Sequence, residues 1–363
     1  MVGRRHNIIL GGCAATTATS GLGLVEVSQY CVLMETAISG HTGFKGSWLT
    51  LMLMDRGHGV SGIALNPEPG ALFTTADLEV DLAADCRSDI RDVNGVKAAI
   101  ADMQPDVFFH LAAQPLVRES YKDPEGTIST NVTGTMNVLE AVRSTASVRG
   151  QVIVTTDKVY RNVGKREGYV ESDPLGGDDP YSASKAMADI LAQSWDASFE
   201  GPPMAIARAG NVVGGGDIST DRLLPDLMRA FAAGQTAIIR YPNAVRPWQH
   251  VLDCLNGYLL LTDAVLAGQG TGPWNFGPPP QSVVSVAEVA DLAARLWEGD
   301  ARWEIEKGDH PQEASFLALD STKARRQLGW RDKLGIEESI TWVVEWHQRV
   351  LSGENPRSVT VDQ

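Results

Sequence analysis

The sequence predicts an α/β protein: a doubly wound parallel sheet joined to a smaller C-terminal α/β domain. Two observations carry this. Short apolar runs alternate with segments of helical periodicity over the first two-thirds of the chain, which is the rhythm of successive βαβ units. A glycine triplet, Gly40, Gly43 and Gly46, falls where the first apolar run gives way to the first helical segment. Composition agrees, because 43% hydrophobic and 21% charged residues in a chain of 363 are enough to bury a sizeable core.

The elements follow in order. Residues 36–39 read as a strand, the segment to 54 as a helix and residues 60–65 as the next strand. Residues 93–103 have helical spacing, and 106–111 form a continuous apolar strand. Val132, Met136, Leu139 and Val142 place a helix over 131–142. A strand at 151–155, a helix at 181–195 and a strand at 204–208 complete the pattern. Beyond about residue 210 it loosens into glycine- and proline-rich loops, short strands and three more helices. At the start, Arg4, Arg5 and His6 precede only three strongly apolar residues, Ile8 to Leu10, against the roughly 7–15 of a secretory core. Residues 1–33 are therefore expected to be a disordered extension or the product of a start codon assigned too early, with Met34 as a candidate start. Residues 351–363 are expected to be a flexible tail.

Charge and cysteine usage exclude several classes. A net charge of −14 argues against a nucleic-acid or anionic-membrane partner, and no apolar run is long enough to predict a membrane span. The four cysteines, Cys13, Cys31, Cys86 and Cys254, make no metal-ligand spacing and no disulfide framework. No metal site is expected, and a reducing, cytoplasmic setting is.

Chemistry concentrates at three places. The glycines give a tight turn, close backbone approach and close packing at a helix N-terminus, which suits a dinucleotide pyrophosphate and makes the fold Rossmann-like. Thr42 and Phe44 lie within that turn. Asn66, 20 residues after Gly46, stands where an acidic residue commonly binds the adenosine ribose, so NAD is expected with a weakened rejection of NADP. Asp89 and Ile90 fit an adenine contact. Leu111, Ala112, Ala113 and Gln114 fit close passage of a cofactor, with ordinary loop chemistry as the plain alternative for each. Tyr181 and Lys185 are four apart on one helical face, about 6 Å along the axis. A lysine ammonium there would lower the phenol's pKa and make it a general base, although the same spacing also describes a surface pair. Thr156, Asp157 and Lys158 close a strand whose end should face a site.

Taken together, the glycine turn, the hydroxyl-Asp-Lys strand end and Tyr-x-x-x-Lys resemble the extended short-chain dehydrogenase/reductase superfamily over most of residues 36–350. Within it, Gly40-His-Thr-Gly-Phe-Lys-Gly-Ser-Trp48 and His110-Leu-Ala-Ala-Gln-Pro-Leu-Val-Arg118 look like the CDP-glucose 4,6-dehydratase family. So do Asp157-Lys158, Arg208 to Asp217, Asp221 to Asp226 and Val245-Arg-Pro-Trp-Gln-His-Val251. Related dehydratases usually carry Asp-Glu where this chain has Asp157-Lys158. The first strand and Asn66 depart from the pattern, which bears on cofactor affinity.

The resemblance implies an NAD-binding Rossmann domain at 34–210, completed by later segments, and a nucleotide-sugar-binding domain mainly at 211–350. It implies that Tyr181, with Lys185 and Thr156, takes the sugar O4 proton while NAD accepts hydride from C4. Asp157 is then the acid for loss of water from C6, and Lys158 handles the C5 proton. CDP-glucose is the implied substrate, a homodimer or higher homo-oligomer the implied assembly, and deoxysugar synthesis for surface polysaccharide the implied setting. Arg246, whose planar fork suits phosphate oxygens, is the first candidate for the diphosphate, with Arg118, Asn211, Arg222 and His250 beside it. The run Gly214-Gly215-Gly216 is expected to admit the nucleotide closely, or else to be a flexible loop. Two other readings stand: another dehydratase or 4-epimerase of the same superfamily, which as an epimerase needs no Asp157-Lys158 pair, and a non-catalytic NAD-binding scaffold.

Overall fold

Among the described residues, twelve strands run in chain order as β1 (Glu35–Ser39), β2 (Gly59–Ala64), β3 (Ala84–Arg87), β4 (Val107–His110), β5 (Gly150–Val154), β6 (Met204–Ala209), β7 (Asn211–Val213), β8 (Ala237–Ile239), β9 (Val245–His250), β10 (Gly272–Phe276), β11 (Val283–Ser285) and β12 (Trp303–Ile305). The computed structural model describes residues 33–297, 299–307 and 316–363, so the expectations for residues 1–32, with Cys13 and Cys31, fall outside the described residues. Seven strands form one sheet in the order β10-β6-β5-β4-β1-β2-β3, every pair parallel. The order reverses between β4 and β1. Strands β11-β9-β7 and β12-β8 make two smaller sheets.

The pleat divides the apolar residues between two faces. Ile38, Val107 and Val152 pack with Leu49 of the helix Phe44–Asp55 and Leu255 of the helix Val251–Leu266. Ala37, Ile63 and Phe108 pack on the other face with Ile100 and Val138, from the helices Val93–Met103 and Thr135–Arg143. A separate core joins Leu227, Phe231, Trp248, Val289, Ala293, Ile340 and Val343 around the later helices.

Three expectations need correction. Six helices rather than three follow residue 210 among the described residues: Leu223–Ala232, Val251–Leu266, Val286–Trp297, Thr322–Gln327, Ile336–Leu351 and Pro356–Asp362. Two of the additional ones have six and seven residues, too short to show a hydrophobic period. The segment read as one helix from 131 begins as a π-helical turn, Ser129–Gly134, and becomes α-helical at Thr135. The tail is helical and packed: Asn355 caps it, Val359 is fully buried and the Trp346 Nε1–H donates to Thr360 Oγ1 at 2.9 Å.

The glycine run is neither open to a ligand nor loose. A Cβ on Gly215 would lie 2.0 Å from the Trp346 ring, and Gly216 has a φ of +74° beside Leu72. These glycines are required by the protein's own side chains, and all three are buried.

Replacing Thr360 with Val removes the acceptor of a buried indole N–H, so it should destabilise the protein by about 1–3 kcal/mol in urea unfolding. A loose tail would show no change.

Candidate active site

The crevice at the reversal between β1 and β4 is where open α/β sheets take ligands. Gly40 has a φ of +80°, and a Cβ there would meet the Ala112 backbone nitrogen at 2.7 Å. At Gly46 a Cβ would lie 2.1 Å from the Gly40 carbonyl oxygen. Backbone contact therefore fixes both as glycine. Gly43 differs, because its Cβ would meet nothing closer than 3.4 Å and the residue is exposed. It caps the 12-residue helix Phe44–Asp55 without any side-chain bond. The helix's first-turn amides thus lack a side-chain partner beside an exposed glycine, an arrangement that fits a dinucleotide pyrophosphate.

Around this turn the Thr42 hydroxyl donates to the Leu65 carbonyl at 3.1 Å, next to the exposed Asn66. Phe44 is half-buried and packs toward Gly214. Leu111, Ala112, Ala113 and Gln114 are half-buried where β4 ends, and the Gln114 amide donates to Leu116 and Thr127. Asp89 is paired with Arg91, whose hydrogen bonds hold its carboxyl below the usual range. Ile90 is 4% exposed and packs into the core against Gly134.

The residues at the end of β5 and the start of the helix Pro180–Ser198 come together. The Thr156 hydroxyl donates to Asp157 Oδ1 at 2.9 Å and also hydrogen-bonds with the Tyr181 phenol. Asp157 is 1% exposed, its other carboxylate oxygen has no hydrogen-bond partner, and burial raises its pKa against the opposing pull of Lys158, Thr156 and Arg246. Lys185 donates to the Val154 carbonyl at 3.0 Å and is pushed down to about 8, by burial first and by the Lys45 charge second. Asp179 caps this helix by accepting from the Ser182 N–H, and Pro180 opens it, which fixes Tyr181 in the first turn.

One electrostatic expectation fails. Burial raises Tyr181 to about 12, and the charge that opposes this is Arg222, with Lys185 absent from the causes. Desolvating a phenolate is the largest effect at this buried ring.

Lys158 borders a cavity of about 520 Å³, which Val117, Tyr160, Asn162, Asp179 and Ser182 also line. The candidate substrate residues divide. Arg118 pairs with Asp221 at 2.8 Å and Arg222 with Asp217 at 3.2 Å. Arg246 is 4% exposed, and its charge reaches Asp157. Asn211 begins β7, half-buried. His250 does not join them: it is fully buried, caps the helix Val251–Leu266 by accepting from the Leu252 N–H, and packs edge-on against Trp48 and Trp342. A helix cap inside the core explains its place beside Val251 better than a ligand contact.

Two cations escaped the sequence reading. Lys45, inside the glycine turn, has its pKa lowered by burial and lies near enough to feel Arg222 and Asp157, while its Nζ donates to the Tyr258 hydroxyl at 3.4 Å. Arg240 pairs with Asp221 at 2.9 Å. The position of Lys45 between two glycines was a signal, whereas nothing local marks Arg240. Among the described residues no His, Cys, Asp and Glu cluster fits a metal ion. No described helix is long and apolar enough to cross a membrane.

A parallel doubly wound sheet with a pyrophosphate-type turn and a buried Thr–Tyr–Lys set defines a dinucleotide-dependent enzyme of the extended short-chain dehydrogenase/reductase class. The family model described as GDP-mannose 4,6 dehydratase matches residues 37–342, and the chain belongs to that family. It is 43% identical over 332 residues to a CDP-glucose 4,6-dehydratase of Salmonella typhimurium, covering 88% of this chain and 91% of the relative. A probable dTDP-glucose 4,6-dehydratase of Sinorhizobium fredii is 27% identical, covering 86% of this chain and 93% of its own. In fold the chain is similar to the dTDP-glucose 4,6-dehydratase of Bacillus anthracis in complex with NAD, with a TM-score of 0.74, 22% identity, and coverage of 90% of this chain and 99% of that one. It is similar also to a UDP-glucose 4-epimerase of Stenotrophomonas maltophila with bound NAD, at a TM-score of 0.78, 20% identity, and coverage of 88% and 100%.

Burial pushes both His110, between Ser39 and Thr135, and His250 down to about 3, against about 6.5 in an unfolded chain. Between those values only the unfolded chain binds the two protons, so stability falls as pH drops through the window. Urea midpoints should fall from about pH 7 to about pH 5, and His250→Asn, which keeps a capping acceptor but cannot titrate, should flatten that slope.

Proposed function

We propose that this chain is an NAD-dependent hydro-lyase that converts CDP-D-glucose to CDP-4-dehydro-6-deoxy-D-glucose. The observation that carries this is Asp157: a buried carboxyl held toward its protonated form, one oxygen unpartnered, between Thr156 and a lysine at a cavity. An epimerase has no use for such an acid. The 43% identity to a CDP-glucose 4,6-dehydratase supports the choice of base and sugar.

Residues 34–210 hold NAD: Gly40, Thr42, Gly43, Phe44 and Gly46 at the pyrophosphate, Asn66 at the ribose, Asp89 and Ile90 toward the adenine, and Leu111 to Gln114, Tyr181 and Lys185 along the nicotinamide half. Bound there, NAD supplies the acceptor for the C4 hydride and its donor to C6. Tyr181 removes the O4 proton, with Thr156 aligning the phenol, the Arg222 charge favouring its ionised form and Lys185 one helical turn away. The 4-ketone acidifies the C5 hydrogen, which a simple alcohol would not. Lys158 takes that proton, and Asp157 delivers its own to the C6 oxygen so that it leaves as water. Arg118, Asn211, Arg222 and Arg246, mainly from residues 211–350, hold the sugar nucleotide, and His250 is withdrawn from this set.

Tyr121, Ile128, Met187 and Ile190 are exposed on helices that contact one another, and a homodimer would cover them. The expected setting is the cytosol, with the product entering surface-polysaccharide deoxysugar synthesis.

With NAD present, CDP-glucose should give a product lighter by one water, and dTDP-, GDP- and UDP-glucose should not. A product of unchanged mass would mean epimerisation, and NAD binding without turnover a scaffold. Lys158→Met should keep C4 oxidation but slow exchange of the C5 hydrogen by about 10²–10⁴-fold; undiminished exchange would remove Lys158 as the base. Ile190→Asp should yield monomers in sedimentation velocity.

A further inference from the structure

We propose that His110 is a positioning residue, held as the neutral Nε2–H tautomer, that sets the cofactor-side loop at 111–114 against the helix carrying Tyr181 and Lys185. The proposal rests on the reading of the chain as an NAD-dependent sugar-nucleotide enzyme and adds to it a residue outside the proposed catalytic set.

His110 ends β4, beside the point where the strand order reverses, and its ring is hydrogen-bonded on both sides. Nδ1 lies 2.6 Å from Ser39 Oγ at the end of β1, and Nε2 lies 2.9 Å from Thr135 Oγ1. The partners decide where the proton sits. The Thr135 hydroxyl already donates to the Asn131 carbonyl at 2.7 Å, so toward the ring it can only accept. Nε2 therefore carries the hydrogen, and Nδ1 accepts from Ser39. The other end agrees, because Ser39 Oγ accepts from the Ala112 N–H at 3.4 Å and keeps its own hydrogen for Nδ1. One directed chain thus runs from the Ala112 N–H through Ser39, His110 and Thr135 to the Asn131 carbonyl.

Asn131 carries that chain to the helix Pro180–Ser198. It lies in the π-helical turn Ser129–Gly134, a geometry that frequently marks functional sites. Its side chain accepts from the Gln114 N–H at 2.8 Å, donates to the Gln114 carbonyl at 3.1 Å and donates to Ser184 Oγ at 2.8 Å. Ser184 donates in turn to the Tyr181 carbonyl at 2.7 Å. Ala112 and Gln114, on the cofactor-side loop, are thus both tied to the turn that holds Tyr181. Ser39, His110, Asn131, Thr135 and Ser184 are each no more than 2% exposed, so bulk water does not replace a lost partner. The Lys185 charge reaches the ring as well, and a neutral His110 leaves that ammonium undisturbed.

The test is Thr135→Val, which removes the acceptor of the Nε2–H and should move the ring proton to Nδ1. Nuclear magnetic resonance of isotope-labelled histidine nitrogens reads the tautomer, with His110→Gln assigning the signal. Titration should show NAD binding weakened about three- to ten-fold, as for the loss of one hydrogen bond. At saturating NAD, kcat should fall about ten- to a hundred-fold with the KM for CDP-glucose little changed, because cofactor and base are misaligned. C4-deuterated CDP-glucose should then show a larger isotope effect on kcat than with wild type. A ring that only fills space would lower the active fraction and leave the isotope effect alone. Thr135→Ser keeps the hydroxyl and should restore tautomer, NAD binding and kcat together. If Thr135→Val does not fold, Ser39→Ala, which removes the partner at Nδ1, carries the same kinetic expectation. The proposal is overturned if wild-type His110 carries its proton at Nδ1, if Thr135→Val binds NAD and turns over like wild type, or if kcat falls with the isotope effect unchanged. Absence of CDP-glucose turnover in the wild type would reject the activity reading, while the tautomer and the NAD titration need no sugar and still decide the role of His110.

Discussion

Arg208 and Asp189 meet in the interior at 1% and 0% side-chain exposure, and much of the site hangs from that pair. The Arg208 Nε–H and one terminal N–H donate to the two Asp189 oxygens at 2.8 and 2.7 Å, and the Thr155 hydroxyl donates to the same carboxylate at 2.9 Å. The other terminal N–H reaches the Tyr160 hydroxyl, which donates to Asn275. Five segments are joined: the end of β5, the helix Pro180–Ser198, β6, the loop after Asp157 and β10. Removing one partner of such a pair costs about 3–5 kcal/mol, because a buried charge is left uncompensated. The geometric consequence is local. Thr155 precedes Thr156, and Asp189 lies one helical turn beyond Lys185, so the pair holds both halves of the proposed catalytic set against each other.

Charge is distributed with the same economy. The chain is acidic overall, yet Lys45, Lys158, Lys185, Arg222 and Arg246 surround Asp157 and Tyr181. An acidic exterior keeps the protein soluble and repels bulk polyanions, while an interior of cations suits a small anionic ligand that can enter the cleft. Burial and neighbouring cations lower both buried lysines: Lys185 is pushed down to about 8 and Lys45 is lowered too.

What the sequence made legible was whatever is encoded locally. The helix Val93–Met103 was legible to the residue because its apolar spacing is contiguous, and the structure adds Asp92 as its cap. The glycine turn was legible because two of its glycines answer to their own backbone, at Gly40 and Gly46. Legibility ended where the third dimension decides. His250 sits inside a recognisable run, yet its ring caps a helix between two tryptophans. Gly214 to Gly216 read as space for a ligand, and Trp346, more than 100 residues later, fills it. Arg240 meets Arg118 only through Asp221, and no periodicity announces a meeting of three distant segments. The short C-terminal helices were lost for a different reason, since six or seven residues show too little of a repeat.

Burial acts on every titratable group here, and it separates their roles by the sign of the charge each must give up. It raises the Asp157 carboxyl and the Tyr181 phenol and lowers the Lys185 ammonium, so each is driven toward its neutral form. A neutral carboxyl is an acid with a proton to give. A phenol near 12 is a poor base on its own, and a nearby cation and a hydrogen-bonding hydroxyl favour its ionised form, as Arg222 and Thr156 do. Dehydration across C5 and C6 requires a proton donor and acceptors in one dry space, without their neutralising each other beforehand. Asp157 and Tyr181 meet that requirement because Thr156 bonds to both. In the proposed reaction its single hydroxyl ties the group that would release a proton to the group that would take one.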